Sequence, residues 1–330
     1  MSGTKGLPPM RPTGWFQVAW SADLPTGQVK SLHYFGTDLV AFRRGDGTVA
    51  VLDAHCQHLG AHLGGGCVVG DDIQCPFHGW TWNGEGRNTS IPYQDRPNKA
   101  RRVRAWPVAE QDEGIFIWHD PQGRPPRWEL PDVRARLGAH IADRTYAPVG
   151  PEERSLHAGI RVHPQVIAEN AVDPHHFRFV HQTPISPTVL HEESDGARWQ
   201  AKVGFGRRWS DGVDRPDDHD NTIQIMWSGI GTSWNGELLG RGEDARARII
   251  AICATPVDDR HSDIFATYWI EEREEDDHAE RLAQAKAALL QDIAIWHDQI
   301  YLEPPGLATS EAAGFRRLRR WAASFYDVAD

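Results

Sequence analysis

Cys56 and His58 in "CQH", and Cys75 and His78 in "CPFH", place one thiolate and one imidazole on each of two short stretches. Two such loops facing each other offer two sulfur and two nitrogen donors to a shared centre. One reading is a 2Fe–2S cluster of the Rieske type, with thiolates on one iron and neutral imidazoles on the other, which raises its potential above that of an all-cysteine cluster. The other is structural zinc, which accepts the same four donors. Zinc ribbons and fingers space paired cysteines two to four residues apart, and neither pair here does so. Pro76 stiffens the turn after Cys75, while Gly79 and Trp80 tighten and shield it. Spacing and setting favour the cluster. His55, His62 and Cys67 fall outside the pattern and are read as loop-packing groups, Cys67 as a small buried side chain. Cys253, in "IIAICATP", reads as core.

An electron carrier would need only part of this chain, so a second site is sought in "ENAVDPHHFRFVH". Asp173, His176 and His181 fit D-x-x-H-x-x-x-x-H, and Asn170 lies one turn before Asp173, which places this candidate catalytic pair on one helical face. Histidines five apart do not share a face of a straight helix; distortion at Pro174 is expected to bring them together. Two neutral imidazoles and one carboxylate form the facial triad of non-haem Fe(II) oxygenases, with positions left open for O2 and substrate. Asp292 is the candidate carboxylate. It falls inside the apolar stripe of Ala285, Leu289, Trp296 and Ile300, where an ionised Asp is costly without a partner or a metal. The plain alternative is hydrogen-bonded core histidines and an aspartate paired with arginine; the three together, downstream of the cluster motif, point to iron. His175 would break the spacing, Asp298 reads as solvated, and Glu169 as lying beside the site or on the surface.

These residues need two different scaffolds. From Gly14 to His119, "WFQVAW", "DLVAFRR", "TVAVLDA" and "GIFIWHD" predict short strands broken by turns such as "RRGDGT" and "WNGEGR", the pattern of a small antiparallel β-domain. The Pro-rich "DPQGRPPRWELPDV" carries the boundary, giving domains 1–125 and 126–330. Beyond it, helices are expected from Pro164 to before Pro184 with a break near Pro174, from Asp277 to Glu303, and near "EAAGFRRLRRWAASFYDVA". Strands are expected at "ARWQAKVGFG", "TIQIMWSGI", "RARIIAICATP" and "SDIFATYWIEE". The fold class is α+β, with helices flanking an antiparallel sheet in the second domain.

A net charge of −11, from 35 basic and 46 acidic residues, argues against nucleic acid as a partner, because phosphate neutralisation needs a basic face. No apolar run reaches membrane-span length, and "MSGTKGLPPMRPTG" lacks the apolar core of a signal peptide, so the protein reads as cytoplasmic. With four cysteines in 330 residues, a disulfide scaffold is not expected. No G-x-G-x-x-G follows a strand and no plant-type ferredoxin cysteine run occurs, so electrons must come from a separate reductase, directly or through a ferredoxin.

The two motifs in this order resemble the oxygenase components of Rieske non-haem iron oxygenases. Within that class, "CPFHGWTWNGEGRNTSIPY" and "LLQDIAIWHDQI…FRRLRRWAASFY" are similar to bacterial 3-ketosteroid 9α-hydroxylases and animal cholesterol 7-desaturases. The resemblance implies a Rieske domain followed by a helix-grip-like catalytic domain, a 2Fe–2S cluster and a mononuclear Fe(II). It also implies a homotrimer in which the cluster of one subunit serves the iron of the next. Asp173 then becomes the bridge, accepting hydrogen bonds from the partner subunit's His78 and from His176. The match over Gln291, Asp292 and Ile293 supports Asp292 as third iron ligand. The lysine usual after the family's tryptophan is missing from "WHDQI". The activity implied is monooxygenation: O2-dependent hydroxylation or desaturation of a C–H bond in a bulky, apolar, steroid-like substrate, which Trp227 and Trp234 would suit. The alternatives are a Rieske electron-transfer protein with a partner-docking domain, a zinc-stabilised binding module, and a ring-hydroxylating dioxygenase.

Overall fold

The computed structural model describes residues 8–208, 214–215, 221–240, 244–274 and 277–326. The first part of the chain forms three antiparallel sheets. Gly114–His119 lies between Gly14–Trp20 and Val108–Gln111; Val29–Tyr34, Thr37–Arg43, Val49–Asp53 and Ala105–Trp106 form the second sheet. Cys67–Val69, Asp72–Gln74, Thr81–Trp82 and Asn88–Ser90 form a small third one. Side chains alternate across each strand, and the buried set (Val40, Phe42, Leu52, Ile73, Trp82, Val103) packs the second sheet against the third. In the turn "WNGEGR", the Asn83 carboxamide oxygen accepts from the backbone N–H of Glu85 and Arg87. Gly86 there has φ of +74°, and a Cβ would stand 1.9 Å from the Val103 carbonyl, so only glycine fits.

The second part is built on a seven-stranded antiparallel sheet. Its spatial order is Arg154–Ile160, Ser262–Ile270, Arg246–Pro256, Thr232–Leu239, Asn221–Ser228, Arg198–Phe205 and Thr188–Asp195. The strands expected from the sequence are present. Those at Arg154–Ile160, Thr188–Asp195 and Thr232–Leu239 were not expected; the first two are largely polar sheet edges with no apolar alternation to betray them.

Both faces of this sheet are covered, by different partners. Met226, Trp234, Ile249, Ala251 and Cys253 pack with Phe16, Trp20, Ile115 and Phe116 of the N-terminal domain in one core. A Cβ on Gly231 would fall 2.2 Å from the Phe16 ring, which shows how close the two domains approach. The Pro-rich crossing is pinned as well: the Trp15 and Trp118 indoles donate to the carbonyls of Trp128 (2.8 Å) and Arg124 (3.0 Å). On the opposite face, Ile225, Trp227 and Ile250 join Leu282, Ala285 and Leu289 of the helix His278–Asp298, and Leu318 and Trp321 of the helix Ala312–Ala323, in a second core.

The helix His278–Asp298 stops five residues short of the expected Glu303. Gln299 is already extended, and Pro304 and Pro305 bar helix further on. Ile300 therefore leaves the apolar stripe and is 65% exposed. Among the described residues no helix is long and apolar enough to cross a membrane.

Candidate redox and metal centres

The two N-terminal loops close in the same way. Gly60 N–H donates back to the Cys56 carbonyl and Gly79 N–H to the Cys75 carbonyl, while the N–H groups of Cys56 and Cys75 donate to Ala61 and Trp80. Gly79 has φ of +70°, and a Cβ there would press on Pro92 at 2.8 Å. The loops face each other: the His58 and His78 rings lie 4.8 Å apart, and Trp80 stacks on His58 at 4.5 Å. Cys56 and Cys75 are free and buried. Burial, reinforced by the Cys75 thiol alongside, pushes the Cys56 thiol above its ordinary value, so two adjacent thiolates here require a strongly electropositive group. The Nδ1 atom of His78 is buried with no hydrogen-bond partner among the described residues, as expected of a nitrogen kept for a ligand bond.

Among the described residues, only His176, His181 and Asp292 bring their donor atoms within 4.8 Å of each other. His62 Nδ1 accepts from Gly64 N–H (3.0 Å) and His55 Nδ1 faces the Gly60 carbonyl (3.1 Å), so both brace the loop. Cys67, expected to be buried, is exposed, with its Sγ 3.9 Å from the Gln74 side chain, on the outward face of a short edge strand whose inward residue is Val68.

At the second centre the chain forms the helix Pro164–Glu169, a 3-10 turn over Asn170–Val172, and the helix Pro174–Phe179. Asp173 caps the last of these, its Oδ1 accepting from the N–H of His175 (3.0 Å) and His176 (3.2 Å), with Pro174 at the first helical position. The histidines converge for a different reason from the one expected. Pro174 precedes both; the helix ends at Phe179, and His181 lies just past that end with its ring 5.4 Å from that of His176, in a turn closed by Thr183 N–H donating to the Phe177 carbonyl. The expected pair divides its roles: Asn170 lines the cavity below, while Asp173 is not among its lining residues and turns its carboxylate to the following helix.

His176 Nδ1 meets the Asp173 carbonyl, and His181 Nδ1 meets the Gln291 side-chain oxygen at 3.0 Å. Both Nδ1 atoms must therefore donate, which leaves each Nε2 lone pair free for a metal. His181 Nε2 lies 3.5 Å from Asp292 Oδ1. Burial holds the His176 pKa below the ordinary value. Burial opposes His181 as well, but hydrogen bonding to Asp292 and its charge outweigh it and raise that pKa. Asp292 is mostly buried and has no arginine or lysine at ion-pair distance among the described residues, so the arginine-paired alternative does not apply. Two imidazoles with Nε2 directed to the centre, one carboxylate and convergence of all three suit a divalent iron with open positions.

The trio sits in the wall of a cavity of about 280 Å³ between the helices and the sheet, close to the lower end of ligand pockets. Trp227 lines it; Trp234 does not, because it points to the opposite sheet face. His175 is turned away toward Ser186 and Ser310, and Asp298 is exposed. Glu169 is not a surface group: it is buried and paired with Arg319, directly ahead of Asn170 in the chain. Glu237 and Arg248, which line the cavity as an ion pair, were not singled out from the sequence; two opposite charges at partner positions of an apolar hairpin were the available signal.

Residues 14–107 match the Rieske [2Fe-2S] domain family, and residues 117–326 match the 3-ketosteroid 9α-hydroxylase C-terminal domain. The solved structure of dicamba monooxygenase bound to dicamba superposes with a TM-score of 0.70 over 97% of this chain and 98% of that one, at 20% identity, and so shares the fold. Fold, centres and family matches define an O2-dependent oxidoreductase, the oxygenase component of a Rieske monooxygenase with a 2Fe–2S cluster and a mononuclear iron as cofactors; electrons come from a separate donor protein. The 3-ketosteroid-9-alpha-monooxygenase oxygenase component of Rhodococcus rhodochrous is 32% identical over 96% of this chain and 84% of its own. Cholesterol 7-desaturase of Xenopus laevis is 28% identical over 97% and 73%. The chain belongs to the 3-ketosteroid 9α-hydroxylase family of Rieske oxygenases.

Proposed function

We propose that the protein hydroxylates or desaturates a C–H bond of a steroid-like, apolar substrate. The observation that carries this reading is the convergence of His176, His181 and Asp292 in the wall of a cavity lined largely by apolar side chains such as Ile167, Phe177, Ile225 and Leu289. Cys56 and Cys75 would hold one iron of the cluster and His58 and His78 the other, while His176, His181 and Asp292 would hold the mononuclear iron. The iron centres supply O2 activation and its electrons when bound. The protein's own part is to keep both imidazoles in the Nδ1–H form, to hold the Asp292 carboxyl group beside them, and to keep water from the substrate with apolar walls. The family names of the relatives support a steroid, and Asn170, which lines the cavity, would help to orient it.

The Rieske domain is taken to end near residue 125 and the catalytic domain to begin at 126. A homotrimer is supported by Leu59 and Phe77, apolar neighbours of the two cluster histidines that stand 66% and 60% exposed. Asp173, with its Oδ1 engaged as a helix cap, would offer its other oxygen to the partner subunit's His78. A reductase, alone or with a ferredoxin, is the electron source.

The test is metal and acid-labile sulfide analysis of anaerobically prepared protein, with turnover of a steroid panel by a surrogate reductase under labelled O2. About three irons and two sulfides per chain and one labelled oxygen per hydroxylated product are expected. Zinc, or only the cluster's iron pair, would overturn the reading, and two labelled oxygens would make it a dioxygenase.

A further inference from the structure

The cavity floor is one face of the sheet, and along three strands every second residue points into it. Ile223, Ile225, Trp227, Leu239, Ile250 and Ile252 are apolar, Asn221, Ser233 and Asn235 are polar and uncharged, and Glu237 and Arg248, paired across adjacent strands, carry charge. Arg248 Nε lies 2.5 Å from Glu237 Oε2, with the two side chains 11% and 8% exposed. Charges at such a depth persist only when paired and hydrogen-bonded. One of the arginine's donor groups is used in this way. Its two terminal nitrogens have no hydrogen-bond partner among the described residues, and neither has the Asn235 amide, two positions from Glu237 on the same face. An arginine fork carries its donors in a fixed plane, so the unspent pair forms a directional site for an acceptor.

We propose that Arg248, held by Glu237 and assisted by Asn235, binds a neutral carbonyl oxygen of the substrate and so fixes which end of the molecule rests on the sheet. This rests on the apolar, steroid-like substrate reading above. Glu237 already neutralises the guanidinium, so a ketone completes the site without adding charge, whereas a carboxylate would leave an unbalanced negative charge in a dry cavity. A hydrocarbon would leave the donors unsatisfied, and a site built around a polar group rejects analogues that lack it. The triad approaches from the helix side of the same cavity, so anchoring at the floor selects which carbon faces it.

The test is equilibrium dialysis of iron-loaded protein, without turnover, against a saturated four-ring steroid hydrocarbon, its ketone and its carboxylic acid, with cyclohexanone as a ring-independent probe. The ketone should bind at least about tenfold more tightly than the hydrocarbon, in keeping with discrimination at hydrogen-bonding sites. The paired substitution Glu237→Gln with Arg248→Met removes both charges at similar volume and should bring the two within about twofold of each other. Arg248→Lys keeps the ion pair but not the fork and should also lose most of the preference, which preserves the test should the double variant fail to fold. Iron content and the visible spectrum should be unchanged in both variants. Equal binding of ketone and hydrocarbon by the native protein, an undiminished preference in the variants, or tighter binding of the acid than the ketone would each overturn the anchor while leaving the steroid reading in place. Failure of every steroid probe, with cyclohexanone still bound in an Arg248-dependent way, would keep the anchor and remove the steroid.

Discussion

Replacing Glu169 by Gln should loosen the segment that carries both metal histidines. Glu169 ends the helix Pro164–Glu169, directly ahead of Asn170, Asp173 and His176. Its two carboxylate oxygens accept from Arg319 Nε (2.8 Å) and Nη2 (3.0 Å), and Gln165 adds a third bond at 3.3 Å. This pair clamps the histidine-bearing segment onto the helix Ala312–Ala323. Breaking one side of a buried pair costs about 3–5 kcal/mol. Arg319 would keep the Leu302 carbonyl and Glu303, each at 3.0 Å, and its contact with the Tyr301 ring at 4.4 Å, which places the loss near the lower end, about 3 kcal/mol. For a unit of roughly 200 residues that is a fall in Tm of about 6–12 °C. Thermal and urea unfolding of four proteins, native, Glu169→Gln, Arg319→Met and the double variant, complete the cycle. The double variant should recover most of the loss, because removing both charges leaves neither stranded. A Glu169→Gln protein within about 0.5 kcal/mol of native, or additive effects in the double variant, would refute the clamp.

Three further expectations follow from the same geometry. Asp292→Ala should retain the visible spectrum of the cluster while iron falls by about one per chain and turnover is lost; full oxygenation by this variant would remove Asp292 from the site. Asp173→Asn preserves the helix cap but not the charge, so stability should hold while single-turnover reoxidation slows at least about tenfold, whereas Asp173→Ala should also lose about 1 kcal/mol; normal reoxidation in the Asn variant would exclude the bridge. Burial pulls His119 down to about 4, against about 6.5 when unfolded. The unfolded chain therefore takes up the proton first, and stability, full above pH 6.5, falls as pH drops toward 4 by up to about 1.4 kcal/mol per unit from this residue. Urea midpoints across that range should show the slope and His119→Gln should flatten it; a midpoint rising as pH falls would contradict the assignment.

Spacing made much of the chemistry legible. Cys56-x-His58 and Cys75-x-x-His78 name their donors because short loops leave little freedom in where the side chains point, and Asp292 declared itself as a charge in an apolar stripe. What the sequence hid depends on where chain segments stop and which way strands face. The return of His181 needs the helix to end at Phe179, a boundary that no glycine or proline marks nearby. Trp227 and Trp234 look equivalent as letters, yet one lines the cavity and the other the domain joint. Cys67 looked like a core thiol because the narrow edge strand it occupies could not be foreseen. Glu237 and Arg248 read as ordinary strand charges until the hairpin register set them opposite each other.

The central sheet serves two masters by parity. On Arg246–Pro256, positions 248, 250 and 252 face the cavity and 249, 251 and 253 face the N-terminal domain; Thr232–Leu239 and Asn221–Ser228 divide in the same way, with odd numbers toward the cavity. Point changes on one parity can reshape what the enzyme accepts without disturbing how its halves are joined. Adding or deleting a single residue within any of these strands would exchange the two roles at once. Relatives with new substrates should therefore differ by replacement within these strands, with length variation confined to the turns that link them.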